Sequence, residues 1–221
     1  MSNSHGHLPG IITSITVQKK NKNRFNIFIN GQYSFSLNRS LAEALKPGDQ
    51  LTKNRIKNLK QADEKDTAYS RALFYLKFRS RSRIEIERYL KGKNFSPEAV
   101  MSTLSRLAAN EYINDFDFAR LWIENRCRFK PKGSYALTGE LKEKGIDEQI
   151  IKKTLKDFNE LESAWAAIAP RLNRLEKLER NEFNKKIYSF LSYRGFDYST
   201  CKQICDQAWE QHIRTTEEEN K

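Results

Sequence analysis

The apolar residues of this chain keep two different periods. Near the start, Ile11, Thr13, Ile15 and Val17 alternate with polar neighbours, the period of a strand with one buried face. A polar run, Lys19-Lys20-Asn21-Lys22-Asn23, separates them from Phe25, Ile27 and Ile29, which alternate again. Asn30-Gly31 then gives a strong hairpin signal, because both residues tolerate positive φ. Tyr33, Phe35 and Leu37 alternate beyond it. Turn and faces conflict here. A two-residue loop pairs position 29 with 32 and 27 with 34, which sends the two apolar triplets to opposite faces. A three-residue loop or a bulge pairs 29 with 33, 27 with 35 and 25 with 37, and unites all six. Burying one such side chain is worth about 1.5–3 kcal/mol, more than a turn preference, so a three-residue loop or a bulged strand is expected. Ser40–Leu45 reads as a short helical turn stopped by Lys46-Pro47-Gly48-Asp49.

From about residue 61 the period becomes helical and the chain repeats itself. Leu90-Lys91-Gly92-Lys93-Asn94-Phe95 lines up with Leu141-Lys142-Glu143-Lys144-Gly145-Ile146 and with Leu191-Ser192-Tyr193-Arg194-Gly195-Phe196. Downstream, Val100, Ile151 and Cys201 share a position, as do Leu104, Leu155 and Cys205, and then Leu107, Phe158 and Ala208. Tandem units of this length read as stacked helical modules. In the first, Ala68–Phe78 precedes a capping-box pattern, Ser82-Arg83-Ile84-Glu85, and Ser96-Pro97-Glu98 opens a third helix. In the second, Asp115–Phe129 leads through Gly133-Ser134 to a helix ending near Gly145, and Asp147 caps the next. Gly195 repeats the device.

The expected fold class is mainly α: three tandem three-helix repeats forming an elongated curved array, preceded by a small N-terminal antiparallel β-meander of three strands. The expected divisions are a flexible N-terminus at 1–9, a basic β-strand module at 10–60, repeats at 61–112, 113–160 and 161–214, and a frayed tail at 215–221.

Charge adds a direction to this picture. Residues 1–60 carry 10 basic and 2 acidic side chains, a balance of +8 out of a total of +12, while the longer remainder holds only +4. Such a field attracts polyanions, chiefly nucleic acid or an acidic protein surface. No apolar run approaches the roughly 20 residues of a membrane span, and the first ten residues lack the basic start and apolar stretch of a secretory signal. Three cysteines, Cys127, Cys201 and Cys205, are too few for a disulfide framework. A soluble protein of a reducing compartment is expected.

Catalytic chemistry finds little to stand on. Cys201 and Cys205 lie one helical turn apart, but their repeat equivalents are aliphatic, which makes them core positions rather than metal ligands. Cys127 lies among Arg126, Arg128 and Lys130, which would favour a thiolate if the group were exposed, yet a structural role fits better. His5, His7 and His212 lack the ordered neighbours of a general base, no Gly-rich phosphate loop follows a strand, and Asp115 and Asp117 suit a helix start. The expectation is no enzyme, no cofactor and no metal. Basic clusters are better represented. Arg79, Arg81 and Arg83 gather where the first repeat's first two helices meet, and Arg126, Arg128, Lys130 and Lys132 gather at the equivalent junction of the second. Lys93, Lys144 and Arg194 share one column of the repeat, and Lys19, Lys20, Lys22 and Arg24 serve the N-terminal module. These fourteen are the candidate contacts to a partner or to DNA. The third repeat dilutes its cations with Glu176, Glu179 and Glu182. Phe78 and Phe129 interleave with the clusters, where aromatic residues are more often core than base-stacking platforms.

Ala72-Leu73-Phe74-Tyr75-Leu76-Lys77-Phe78-Arg79-Ser80-Arg81-Ser82, then Glu85-Ile86 and Leu90-Lys91-Gly92-Lys93, resembles the first repeat of the RecX family of recombination regulators. Tyr112-Ile113-Asn114-Asp115, Phe118-Ala119-Arg120 and Trp122 resemble the following segment, and Gly133 with Glu140–Ile146 resembles the second-repeat signature. The resemblance spans roughly 66–212, and residues 10–60 look like the N-terminal extension of longer members. Asn94 and Glu111 depart from it, since glycine is usual at both places. The resemblance implies a monomeric, cytoplasmic, non-enzymatic modulator of the RecA recombinase, with a part in DNA repair, homologous recombination and the SOS response. Such a protein lies in the groove of the RecA–DNA filament, on single- or double-stranded DNA, and inhibits ATP hydrolysis, coprotease activity and strand exchange. The rival reading of the residues is an autonomous DNA- or RNA-binding protein with the repeats as scaffold.

Overall fold

The computed structural model describes residues 9–175 and 178–219, with side chains as far as Gln211. The expectations for residues 1–8, His5 and His7 among them, for Glu176 and Lys177, and for the His212 side chain lie outside the described residues. The chain packs as two units, Met1–Ser80 with Ile86–Tyr112, and Arg81–Glu85 with Ile113–Lys221.

In the first unit, strands β1 (Gly10–Val17), β2 (Arg24–Ile29) and β3 (Gln32–Asn38) form the expected antiparallel meander. After helix α1 (Arg39–Glu43), a two-residue strand β4 (Gln50–Leu51) pairs with the start of β1, so the sheet has four strands in the order β3-β2-β1-β4 rather than three. The hairpin satisfies turn and faces together. Asn30 (φ 48°) and Gly31 (φ 81°) make a two-residue turn with both residues left-handed, which pairs Ile29 with Gln32 instead of the expected Tyr33. A bulge between Ile27 and Phe28 then shifts the register, so that Ile27 faces Phe35 and Phe25 faces Leu37. Ile27, Ile29, Phe35 and Leu37 are buried with Ile12, while Tyr33 is left exposed.

Helix α2 (Lys53–Leu76) starts well before the expected Ala68 and runs unbroken across residues 60 and 61, where a division had been expected. Thr52 caps it by accepting from the Arg55 amide at 3.2 Å. Its first turns bury Ile56 and Leu59 in the sheet's core, and its later turns bury Ala68 and Ala72. Helix α3 (Arg83–Lys91) opens with the reciprocal capping box of Ser82 and Glu85, 3.3 and 3.2 Å. Helix α4 (Pro97–Ala109) opens on Ser96, whose amide and hydroxyl both donate to Glu64 of α2, at 2.7 and 2.9 Å. Asn94 (φ 60°) and Glu111 (φ 58°) are left-handed, a conformation that favours glycine.

The second unit holds α5 (Asp115–Phe129), α6 (Ser134–Glu143), α7 (Glu148–Leu155), α8 (Glu160–Ile168), a 3₁₀ segment (Ala169–Arg174), α9 (Arg180–Tyr193) and α10 (Tyr198–Glu219). The helical backbone therefore continues past Thr215 to Glu219, where fraying had been expected. The three repeats keep their register in the packing: Leu90, Leu141 and Leu191 are all fully buried. One joint occurs twice. Ser82 Oγ donates to the Lys144 carbonyl at 2.6 Å, and in the next repeat the Gly133 amide donates to the Arg194 carbonyl at 3.1 Å. Gly145 and Gly195 turn the chain at these joints with φ of 73° and 81°.

Candidate nucleic-acid interface

The fourteen candidate cations divide into those the fold uses and those it leaves at the surface. In the first unit, the acidic residues Asp63, Glu64 and Asp66 of α2 bind the sheet and α4 to the helix. Arg24 donates to Asp63 at 2.7 Å and, through its other nitrogen, to the carbonyl and hydroxyl of Ser36 at 3.1 and 3.0 Å. The Asn38 amide donates to the same carboxylate at 2.7 Å, and Asp66 accepts from Arg106 at 3.2 Å and the Asn38 side chain at 3.1 Å. Arg24 thereby serves the fold, tying the sheet to α2. Lys19, Lys20 and Lys22 are exposed on the β1–β2 turn. That turn is ordered from within: Asn21 accepts the Asn23 amide on its side chain and the Arg24 amide on its carbonyl, both at 3.0 Å. Against the turn runs a groove of about 460 Å³, lined by Asn21, Asn23, Asn38, Thr67, Arg71 and Phe74 among others.

In the second unit, Glu140 gathers three donors. Trp122 Nε1 and Arg126 Nε each donate at 2.7 Å, and Lys132 Nζ at 2.5 Å. Burial works to raise the Glu140 carboxyl, but the hydrogen bonds from Lys132, Arg126 and Trp122 together outweigh it and hold the group below its ordinary value of 4.5. The Arg126 guanidinium stacks 4.6 Å above the Trp122 ring, and Lys144 lies 5.1 Å from the same ring while its ammonium reaches Glu85 at 3.1 Å. Arg194 donates to the Pro131 carbonyl at 2.9 Å and packs on Phe190. Four more expected contacts (Arg126, Lys132, Lys144 and Arg194) therefore hold the fold together. Arg79, Arg83, Lys93, Arg128 and Lys130 are exposed, and Arg81 is half-buried.

Phe78 and Phe129, expected in the core, are 69% and 66% exposed. Phe74, which the sequence did not single out, is 60% exposed beside Phe78. Their flanks Lys77-Phe78-Arg79 and Arg128-Phe129-Lys130 were the available signal, since a core ring is rarely bracketed by two surface cations. Asp115 and Asp117 lie in the first turn of α5 as expected, behind the Asn114 cap, and the Asp115 carboxylate also accepts the Arg83 amide at the start of α3 at 2.9 Å.

Cys201 and Cys205 sit in the same core as Phe183, Leu191 and Phe196. Their thiols donate to the carbonyls of Phe196 and Asn184, and burial pushes Cys205 up to about 11. Cys127 is half-buried in the wall of a cavity of about 530 Å³ with Phe116, Lys153 and Ser163. Burial raises its thiol too, so its basic sequence neighbours do not make it a thiolate. Among the described residues, no group of three or more histidine, cysteine or acidic side chains is placed to hold a metal ion, and no helix is long and apolar enough to cross a membrane.

Three family models match the chain in order. Regulatory protein RecX N-terminal domain covers residues 10–52, the RecX first three-helix domain covers 68–107, and the RecX second three-helix domain covers 114–155. The regulatory protein RecX of Listeria monocytogenes is 34% identical over 202 residues, 89% of this chain and 75% of that protein. That of Bacillus subtilis is 32% identical over 213 residues, 94% of this chain and 81% of that protein. A crystal structure of regulatory protein RecX superposes with a TM-score of 0.70 at 28% identity, covering 90% of this chain and all of that one.

Proposed function

We propose that this chain, which belongs to the RecX family of regulatory proteins, binds the RecA recombinase filament on DNA and lowers its ATPase, coprotease and strand-exchange activities. One observation carries the reading: the N-terminal and both three-helix RecX domains match in sequence order. The exposed cations suit such a target, because a filament offers phosphates and protein side chains side by side. Lys19, Lys20 and Lys22 approach phosphate, and Arg83, Arg128 and Lys130 meet anions of filament or DNA. The protein acts as a cytoplasmic monomer without a catalytic step of its own.

The same three lysines support a second reading, an autonomous DNA- or RNA-binding protein. DNA-dependent ATP hydrolysis by the cognate RecA separates the two. At protein concentrations that leave naked DNA unbound by fluorescence anisotropy, the hydrolysis rate falls several-fold. A rate that changes only once naked DNA is coated supports the autonomous binder and removes the first reading.

A further inference from the structure

Phe74 and Phe78 stand one turn apart on α2, their rings edge to face with centroids 5.3 Å apart, and both are largely exposed. Phe74 also walls the groove that holds Asn21, Asn23 and Arg71. Arg71 and Thr67, three and seven residues before Phe74, share its helix face. The turn that contributes Asn21 and Asn23 also carries the exposed Lys19, Lys20 and Lys22. Within the first unit, then, a turn bearing three cations, a polar groove and a pair of bare rings form one continuous surface.

We propose that this surface is a path for single-stranded nucleic acid: phosphates follow the lysine turn and Arg71, and unstacked bases lie on Phe74 and Phe78. The proposal rests on the reading that the protein works on DNA. Charge complementarity alone would suit any polyanion, but the rings select among them. A duplex keeps its bases stacked inside, whereas a single strand offers aromatic faces to a protein ring. The asparagine amides add donors and acceptors for base edges. Phe129, at the equivalent position of the second repeat, is again exposed, with the Arg128 guanidinium 5.2 Å from its ring. A solvent-facing ring beside cations thus arises twice at the same repeat position.

The test uses the full chain and a labelled oligothymidine strand, with a duplex of equal length beside it. Phe74→Ala with Phe78→Ala lowers single-strand affinity about tenfold or more, the size expected for lost base stacking, and lowers duplex affinity far less. Phe74→Trp with Phe78→Trp restores the single-strand value. With the unchanged protein, a strand carrying 5-iododeoxyuridine cross-links on irradiation to the peptide holding Phe74 and Phe78. Equal losses for strand and duplex, or adducts confined to other peptides, overturn the proposal. RecA-dependent ATP hydrolysis is followed in parallel. If the alanine variant keeps single-strand affinity but no longer affects RecA, the rings contact protein, and this proposal fails while the regulatory reading stands. If single-strand binding depends on the rings but the unchanged protein leaves RecA hydrolysis untouched, the regulatory reading fails and this one stands.

Discussion

A carboxylate decides what two of the candidate cations do. Glu140 accepts from Arg126, Lys132 and Trp122, and its side chain is only 16% exposed. Glu140→Gln leaves two cations without their counter-ion, at a cost of about 1–3 kcal/mol, the lower end reflecting water's access to both. Urea unfolding reads this as a lower midpoint with an unchanged slope. Because the folded carboxyl lies below its ordinary value of 4.5, its stabilisation is present above that value and is lost as pH falls through the folded one. The difference between the unchanged protein and Glu140→Gln therefore narrows across that acidic window. Glu111 is the opposite case, a side chain that costs stability. It holds φ at 58° in a turn that needs no side chain, so Glu111→Gly raises stability by about 0.5–1 kcal/mol.

At the scale of elements, the joints depend on close backbone approach. Gly133 has an ordinary φ of −76°, which any residue adopts, but a Cβ there would stand 2.1 Å from the Gly195 carbonyl oxygen. Gly133→Ala therefore forces backbone apart and costs about 2 kcal/mol or more. Gly139, in the same helix with nothing within 4 Å of its Cβ, gives the control: Gly139→Ala stabilises by about 0.5–1 kcal/mol. Thermal unfolding of the two variants should move in opposite directions. Local chemistry made most element ends legible in advance. The caps at Ser82, Ser96 and Asp147, the glycine stops and the bulged hairpin all follow from contacts between near neighbours. The length of α2 was not legible, because the polar stretch Lys53–Lys60 reads as the end of a module until Ile56 and Leu59 are seen against the sheet. Nor could sequence say which cations meet a carboxylate, since Arg24 and Asp63 are 39 residues apart.

At the scale of the whole molecule, α2 makes the β-sheet and the first repeat's helices one folding problem. Removing residues 1–60 would cut the helix and strip Asp63 of Arg24 and of the Asn38 amide. Far-UV circular dichroism of such a fragment should show loss of more helix than the deleted residues of Arg39–Glu43 and Lys53–Lys60 account for. Reversing Lys19, Lys20 and Lys22 to Glu in the full chain keeps the spectrum, since all three are exposed, and flattens the salt dependence of DNA binding. The joint at Gly133 also sets an order of events during synthesis. Arg194 donates to the Pro131 carbonyl across 63 residues of chain, so this joint cannot close until Arg194 has left the ribosome. A nascent chain halted before Arg194 lacks the acceptor of the Gly133 amide, and the joint forms only as the third repeat arrives.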